Sequence, residues 1–294
     1  MHYSEGSKWR PLFETTPAML QIATGCGHNA CKFCTMYKGT RFRLSERTEI
    51  EADIAEMAHV WLVPPERIFL TGGNAFGVPQ DHLVFALKLI REQLPHTKSV
   101  GCFARVGDVK QKTDDDLREL AELGIDDISI GAEGGYDPAL AFMGKGHTAA
   151  DIVAQCARLD AVGIAYDLFY LAGIAGAGKW EDNVRATVDV YGHTHPRRIM
   201  VHTLTQFEGA PLLRDIERGD FVPEDELDIL RELRMLCAEL PISTFMLAAH
   251  NSNVTPFNAR LPEDRDAVLA HLDHAIAHWD EETLRAMRRE VKSM

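Results

Sequence analysis

The chain has 294 residues, of which 46% are hydrophobic and 26% are charged, and its formal net charge is −13. This composition predicts a globular protein with ample core material, of a length that single α/β barrels reach. The acidic charge disfavours a broad nucleic-acid footprint, because neutralising phosphates needs clustered Lys and Arg. No apolar run reaches the roughly 18 residues of a membrane span, and the N-terminal segment shows no apolar signal region. We therefore expect no membrane span. Because Cys102, Cys156 and Cys237 are isolated and do not indicate a disulfide framework, a cytoplasmic protein is expected.

Six apolar runs rich in β-branched residues recur along the first 205 residues and predict strands. Helical patterns separate them, so the sheet is expected to be parallel with right-handed crossovers. The runs occupy residues 19–24, 67–71, 99–104, 127–132, 165–171 and 198–204. Six such units predict an α/β fold, a partial (β/α)6 TIM-type barrel.

Apolar residues at helical spacing predict five helices between these strands. One helix is expected to begin at a Thr48–Glu51 capping box, one at the acidic cap after Thr113, and one at Thr148–Asp151. The apolar positions of the five helices are Ile50, Ile54, Met57 and Trp61; Leu83, Leu87 and Ile90; Leu117, Leu120 and Leu123; Ile152, Cys156 and Leu159; and Val184, Val188 and Tyr191.

The pattern changes after residue 205. A helix is predicted over about 224–240, a strand over 243–248 and a long helix over about 263–291. We therefore expect an N-terminal segment over residues 1–16, the partial barrel over 17–205, and a C-terminal α/β extension over 206–294 that packs on the barrel.

Three of the six cysteines crowd into nine residues directly after the first predicted strand. They are Cys26, Cys31 and Cys34. Such crowding indicates metal ligation, and three thiolates suit an iron–sulfur cluster with one iron open to another ligand. Phe33 lies between the last two cysteines, where an aromatic ring shields a cluster from water. Because His28 lies in the same loop, a Cys3His zinc site in an α/β binding protein is the alternative.

Distinctive residues also follow the later predicted strands. In parallel α/β folds, active residues gather at the carboxyl ends of the strands. Glycine pairs allow close backbone approach to a ligand, Glu133 is suited to ribose hydroxyls, and Arg105 and Lys145 to a carboxylate. The residues at these strand ends are Gly72, Gly73 and Asn74; Arg105; Glu133; Ile174; and His202 and Gln206, with His250 and Asn253 after the later strand. Together they predict a single site.

The run from Gly173 to Lys179 matches the spacing of a phosphate-binding P-loop between a strand and a helix. Trp180 stands where Ser or Thr would bind magnesium, which makes a nucleotide enzyme the less favoured alternative. A glycine turn that lets Ile174 lie against an adenine ring explains the same residues without magnesium.

These motifs resemble the radical S-adenosylmethionine (SAM) superfamily over about residues 17–205. The cysteine loop ends in the family's C-x-aromatic-C pattern, a glycine pair follows the second strand, and family patterns occupy residues 130–137, 143–146 and 173–176. The set is similar to the branch that contains oxygen-independent coproporphyrinogen oxidases and methylthiotransferases. Two features depart from the common pattern, namely four residues between Cys26 and Cys31 instead of three, and Asn74 where the family often has Glu.

The resemblance implies that Cys26, Cys31 and Cys34 bind three irons of one 4Fe–4S cluster, and that SAM chelates the fourth. The implied cosubstrate contacts are the backbone around Gly72 and Gly73 for the amino group, Arg105 or Lys145 for the carboxylate, Glu133 for the ribose and Ile174 for the adenine. Asn74 and Phe33 are further cofactor-binding candidates, Phe33 near the cluster.

The implied activity is reductive cleavage of SAM to a 5′-deoxyadenosyl radical that abstracts hydrogen from a small-molecule substrate. A reductant such as flavodoxin or ferredoxin is the implied partner. His202, Gln206, His250 and Asn253 are the catalytic candidates on the substrate side. The dispersed remaining cysteines and the acidic charge disfavour methylthiotransferase activity and a tRNA substrate.

Overall fold

The structure, a computed structural model, describes residues 2, 9–11, 13–14, 18–60 and 63–291. The strands in these ranges are β1 (Ala18–Gln21), β2 (Ala23–Thr24), β3 (Arg43–Leu44), β4 (Arg67–Thr71), β5 (Ser99–Ala104), β6 (Ile128–Glu133), β7 (Tyr166–Ala172), β8 (Arg198–Thr203), β9 (Thr244–Leu247) and β10 (Asn258–Leu261). The α-helices are α1 (Arg47–Val60), α2 (Gln80–Gln93), α3 (Val106–Lys110), α4 (Asp114–Glu122), α5 (Asp137–Phe142), α6 (Ala149–Val162), α7 (Trp180–Tyr191), α8 (Leu212–Glu217), α9 (Glu226–Glu239), α10 (Arg265–His278) and α11 (Glu281–Arg289).

Eight strands form one sheet in the order β1-β4-β5-β6-β7-β8-β9-β10, and β2 and β3 form a separate antiparallel pair. The pairs β1/β4, β4/β5, β5/β6, β7/β8 and β8/β9 are parallel, and β10 is antiparallel to β9. The predicted α/β fold of the partial-barrel type is confirmed, with a mostly parallel sheet that does not close.

The predicted strands agree with the structure at five of six positions to within one residue at each end. The first is different, because the run predicted over 19–24 is divided at Ile22 between β1 and β2. Ile22 donates its N–H to the Thr71 carbonyl at 3.4 Å and accepts the Ser45 N–H at 3.0 Å. The backbone thus exchanges one pairing partner for another at this residue, which a continuous apolar run does not reveal.

Two of the predicted helix caps are confirmed. The Thr113 hydroxyl accepts the Asp116 N–H at 3.0 Å, and the Thr148 hydroxyl accepts the Asp151 N–H at 3.2 Å. Each acidic side chain in turn accepts the N–H of its threonine, which completes a capping box.

The capping box predicted at Thr48–Glu51 is wrong. Helix α1 begins at Arg47, so Thr48 lies inside its first turn. The acidic side chain that bonds the backbone at the start of the helix is Glu49, whose carboxylate accepts the Glu46 N–H at 2.7 Å. The predicted apolar position Trp61 lies outside the described residues.

The C-terminal region differs from the prediction in three places. Helix α8 was not predicted. The helix expected over 263–291 is divided into α10 and α11, because Asp280 accepts the Thr283 N–H at 2.8 Å and begins a second helix. Strand β10 was not predicted. It has only four residues, and it buries Ala259 and Leu261 while Asn258 and Arg260 are exposed.

Internal contacts divide the chain into two compact units. The first comprises Met1–Asn29, Met36–Gly131 and Ala157–Tyr166, and the second comprises Ala30–Thr35, Ala132–Cys156 and Asp167–Met294. The boundary proposed at residue 205 stays a prediction. In the described part of the chain, no helix combines the length and apolar character that crossing a membrane requires.

Candidate functional site

The glycine pair after β4 supports the Cys26 end of the cysteine loop, within the first unit. Gly73 donates its N–H to the Gly25 carbonyl at 2.8 Å. A Cβ on Gly73 would lie 2.5 Å from the Cys26 Cβ and 2.8 Å from the Tyr37 ring. Gly72 has φ +141°, a conformation that L side chains rarely adopt. The turn can therefore approach Cys26 this closely only with glycine.

Asn74 holds the same loop through its side chain. The Asn74 Oδ1 accepts the Gly27 N–H at 2.8 Å, and its Nδ2 donates to Asp108 Oδ1 at 3.2 Å. Asn74 is 7% exposed, so this amide is a buried link between the cysteine loop and α3. Sequence reasoning assigned Asn74 to the cosubstrate and missed this link, because α3 was not predicted.

Arg105 lies at the start of α3 and is oriented by Asp108. The Arg105 N–H donates to Asp108 Oδ2 at 2.8 Å, and its Nη1 lies 3.8 Å from Asp108 Oδ1. Burial raises the pKa of Asp108, an effect that the nearby Arg105 charge opposes. The guanidinium side chain is 13% exposed. A guanidinium carries five N–H donors in a geometry that suits a carboxylate.

The segment that carries Cys31 and Cys34 belongs to the second unit and is anchored through Lys32. The Lys32 N–H donates to the Met143 carbonyl at 3.0 Å, and its carbonyl accepts the Leu212 N–H at 2.9 Å. The Lys32 Nζ lies 3.0 Å from Asp215 Oδ2. All three loop cysteines are partly exposed, and none of them forms a disulfide. The segment thus presents its thiols from a backbone held on both sides.

Phe33 and Ile174 share one apolar cluster in the second unit. Ile174 is 1% exposed and packs with Met143, Leu171 and Phe221, and Phe33 lies partly buried against the same group. The structure therefore brings together the two apolar residues that the sequence assigned to the cluster and to adenine.

Glu133 and Lys145 form an ion pair with each other. The Lys145 Nζ lies 2.9 Å from Glu133 Oε1, with 4% and 12% of the two side chains exposed. The same Nζ lies 5.7 Å from the centre of the Phe33 ring. Glu133 has φ +72°, a left-handed conformation that is costly for a non-glycine residue and typical of functional positions.

Two of the four catalytic candidates lie in contact. The rings of His202 and His250 stack with centroids 4.0 Å apart, and Phe169 meets His202 edge-on at 5.2 Å. The His250 Nδ1 accepts the Ser252 N–H at 3.1 Å, so a neutral His250 carries its proton on Nε2. Burial, followed by the neighbouring His250, lowers the pKa of His202 to about 3. Burial lowers the pKa of His250 as well.

The other two candidates do not join this pair. The Asn253 Nδ2 donates to the carbonyls of Val201 and Ala248, both at 2.8 Å, and its Oδ1 accepts the Thr203 hydroxyl at 2.8 Å. These bonds occupy the buried amide and give Asn253 a structural role. Gln206 is exposed.

The low pKa of His202 predicts a loss of stability in acid. Because its folded-state pKa of about 3 is below the ordinary 6.5, the folded state binds fewer protons, and stability falls as pH drops below 6.5. In the wild type, this histidine is expected to lower the unfolding free energy by about 2 kcal/mol between pH 7 and pH 5. His202→Phe, which keeps a stacking ring, is expected to abolish that part of the pH dependence. Urea unfolding at both pH values measures it, with the exposed His96→Gln as control. Identical pH dependence in wild type and His202→Phe would contradict it.

The glycine run after β7 does not form a phosphate cradle. Gly173 donates its N–H to the Glu232 carboxylate at 2.8 Å, and Gly178 donates to Glu224 Oε1 at 3.3 Å. The Ala177 N–H is taken by the Val222 carbonyl at 2.8 Å. These donors are occupied, and two carboxylates would repel a phosphate. The P-loop alternative therefore has no structural support.

Glu232 itself is a residue that sequence reasoning missed. It has no exposed surface, and its carboxylate also accepts bonds from Tyr170 and Asn183. The sequence does contain an indication of this role, because Glu232 occupies a helical position between the apolar residues Ile229 and Leu233 of α9, which are buried. A carboxylate at a buried helical position needs specific partners.

The described residues contain no group of three or more His, Cys, Asp or Glu side chains that is already assembled as a metal site. The zinc and cluster interpretations therefore both depend on the kind of side chains in the loop, three cysteines and one histidine, and not on an assembled geometry. The family to which the chain belongs bears on this choice.

The family model of the Radical SAM superfamily matches residues 20–176, which is more than half of the chain. The chain therefore belongs to the radical SAM superfamily, and it is an enzyme of that superfamily. SAM and a 4Fe–4S cluster are the characteristic cofactors of this family. A search of curated protein sequences finds no match.

Solved structures of radical SAM enzymes share the fold. Coproporphyrinogen III oxidase (HemN) from Escherichia coli is 16% identical in sequence and superposes with a TM-score of 0.59. The alignment covers 86% of this chain and 57% of the HemN chain. The radical SAM methyltransferase TsrM from Kitasatospora setae, solved with cobalamin and a [4Fe-4S] cluster, is 18% identical with a TM-score of 0.57, covering 69% and 39%. Methylornithine synthase (PylB) is 16% identical with a TM-score of 0.54, covering 87% and 68%.

These likenesses establish the fold alone, because the sequence identities are low. The chain also spans only 39% of the length of TsrM and 57% of the length of HemN. The activities of these proteins are therefore not transferred to this chain.

Proposed function

We propose that the chain cleaves SAM reductively at a 4Fe–4S cluster held by Cys26, Cys31 and Cys34, and uses the resulting radical to abstract hydrogen from a small-molecule substrate. The observation that carries the proposal is the superfamily match over residues 20–176, which includes all three cysteines and both glycine turns. When bound, the cluster supplies the electron that splits SAM into methionine and a 5′-deoxyadenosyl radical.

The donor set of the loop suits such a cluster. Three thiols on one short loop leave one coordination position for a non-protein ligand. The loop backbone is held at Gly27 by Asn74 and at Lys32 by Met143 and Leu212. The absence of a cysteine side chain at a fourth loop position agrees with SAM as the remaining ligand.

The cosubstrate contacts divide among the remaining residues. We assign the amino group of SAM to the backbone at Gly72 and Gly73, and its ribose to Glu133. Arg105 is our candidate for the carboxylate, because its guanidinium lies 3.8 Å from Asp108 Oδ1, a looser ion pair than the 2.9 Å contact between Lys145 and Glu133. Lys145 then holds Glu133 in its left-handed conformation, and Ile174 offers an apolar surface to adenine.

The stacked His202 and His250 are our candidates for the substrate side. Both are neutral near pH 7 because burial lowers their pKa values. A neutral imidazole can accept a proton or donate the one it carries, as a hydrogen-abstraction sequence with a proton-transfer step would need. The net charge of −13 supports a small molecule over a nucleic acid. A flavodoxin or ferredoxin is the proposed reductant.

Anaerobic reconstitution tests this function. Protein treated with iron and sulfide is expected to bind one 4Fe–4S cluster per chain, measured as iron, sulfide and visible absorbance. Addition of SAM and dithionite is expected to yield 5′-deoxyadenosine, detected by chromatography and mass spectrometry. A colourless protein with one tightly held zinc and no 5′-deoxyadenosine would overturn the proposal in favour of the Cys3His alternative.

A further inference from the structure

Glu232 is a fully buried carboxylate whose partners in the described part of the chain are uncharged donors. The Tyr170 hydroxyl donates to Oε1 at 2.5 Å, the Asn183 Nδ2 donates to Oε1 at 2.8 Å, and the Gly173 N–H donates to Oε2 at 2.8 Å. Burying a carboxylate without a cation is costly, and burial raises the pKa of Glu232 to about 7. An apolar side chain at this core position would avoid this cost. The presence of a carboxylate here therefore indicates a role other than filling the core.

The Gly173 bond places this carboxylate at the start of the turn that presents Ile174. Gly173 has φ +79°, and the Gly176 N–H closes the turn by donating to the Gly173 carbonyl at 3.2 Å. Hydrogen bonds from backbone N–H groups to a carboxylate are stronger than those to neutral acceptors. In its ionised form, Glu232 therefore restrains the first residue of the turn more firmly than a neutral side chain would.

The same polar network reaches the turn after β6. On α7, Thr187 lies one turn beyond Asn183, and its hydroxyl accepts the Gly135 N–H at 2.9 Å. A Cβ on Gly134 would lie 3.2 Å from both the Asn183 Oδ1 and the Thr187 Oγ1. The Thr187 hydroxyl in turn donates to the backbone carbonyl of Asn183 at 2.7 Å. Helix α7 thus supports the turn after β6 through Thr187, and α9 supports the turn after β7 through Glu232.

We propose that Glu232 is a positioning residue for the adenosyl part of SAM, acting through the Gly173 N–H on the turn that carries Ile174. This inference rests on the proposed function, because that function assigns adenine to Ile174 and ribose to Glu133. A turn held in place before the ligand arrives avoids an ordering cost on binding.

Three variants in one helix test the inference. Glu232→Met keeps the side-chain length but removes both oxygens, and Glu232→Gln keeps one carbonyl oxygen. Glu226→Gln is the matched control, since Glu226 is also a buried carboxylate of α9 but pairs with Arg288. The protein is loaded with its cluster anaerobically, and iron content is measured for each variant. The readouts are the Kd of the uncleavable probe S-adenosylhomocysteine, by calorimetry, and amide hydrogen exchange of the peptide over residues 171–176.

We expect Glu232→Met to raise the Kd at least about tenfold and to speed exchange at Gly173, with unchanged iron content. Glu232→Gln is expected to have a smaller effect in the same direction, and Glu226→Gln to match the wild type. If Glu232→Met does not fold, Glu232→Gln carries the test with the same readouts, and wild-type values for both would overturn the inference.

Two other outcomes overturn the inference in distinguishable ways. Faster exchange at Gly173 with an unchanged Kd in Glu232→Met would remove the positioning role and leave the proposed function intact. A cluster-loaded wild type that fails to bind the probe would overturn the proposed function, and this inference with it.

Discussion

Cys31→Ala is expected to lose the iron–sulfur cluster and to form no detectable 5′-deoxyadenosine from SAM. The change leaves two thiolates in a loop from which the proposed cluster takes three, and no other cysteine lies near it in the sequence. Iron and sulfide analysis after anaerobic reconstitution measures the first effect. Chromatography of the reaction with SAM and dithionite measures the second.

Cys156→Ala is the matched control for this experiment. It makes the same chemical change at a buried cysteine of α6, outside the loop. We expect it to keep the wild-type iron content and cleavage rate, with at most a modest loss of stability from the small cavity. The assignment of the three loop cysteines would be wrong if Cys31→Ala retained both the cluster and SAM cleavage.

Gly73→Ala is expected to have the second largest effect. The new methyl group would lie 2.5 Å from the Cys26 Cβ and 2.8 Å from the Tyr37 ring, well inside contact distance, so the turn or the cysteine loop has to shift. Overpacking of this kind costs about 1–3 kcal/mol of unfolding free energy. Because Cys26 is the displaced neighbour, we also expect a lower iron content, measured together with urea unfolding of the same preparation.

Gly107→Ala provides the comparison for Gly73→Ala. At Gly107 the nearest atom to a new Cβ is the Arg105 Nη2 at 3.7 Å, an ordinary contact, and alanine is a good residue inside helix α3. This variant is expected to match or slightly exceed the wild-type stability and to bind iron normally. Equal stability and iron content in Gly73→Ala and Gly107→Ala would contradict the close packing of Gly73 against Cys26.

The features predicted correctly from the sequence are those encoded by neighbouring residues. Strands such as β4 and β5 follow from short β-branched runs, and the caps at Thr113 and Thr148 follow from residue pairs three positions apart. The three-cysteine loop, the glycine pair and the resemblance to the radical SAM superfamily were equally readable, and the superfamily match confirms the family. Local sequence carries this information because strand propensity, helix capping and cysteine spacing each depend on a few neighbouring residues.

The tertiary structure alone decided how the candidate residues are used. Asn74 bonds Gly27, 47 positions away in the sequence, and Glu232 bonds Gly173, 59 positions away. The Lys145–Glu133 pair likewise spans 12 positions and joins two residues that the sequence assigned to different groups of one ligand. Sequence periodicity and spacing do not specify such partners. The residues meet only because the folded chain brings the strand ends and helices together. The sequence by itself determined the family and the cysteine loop, and packing determined which polar groups hold its turns in place.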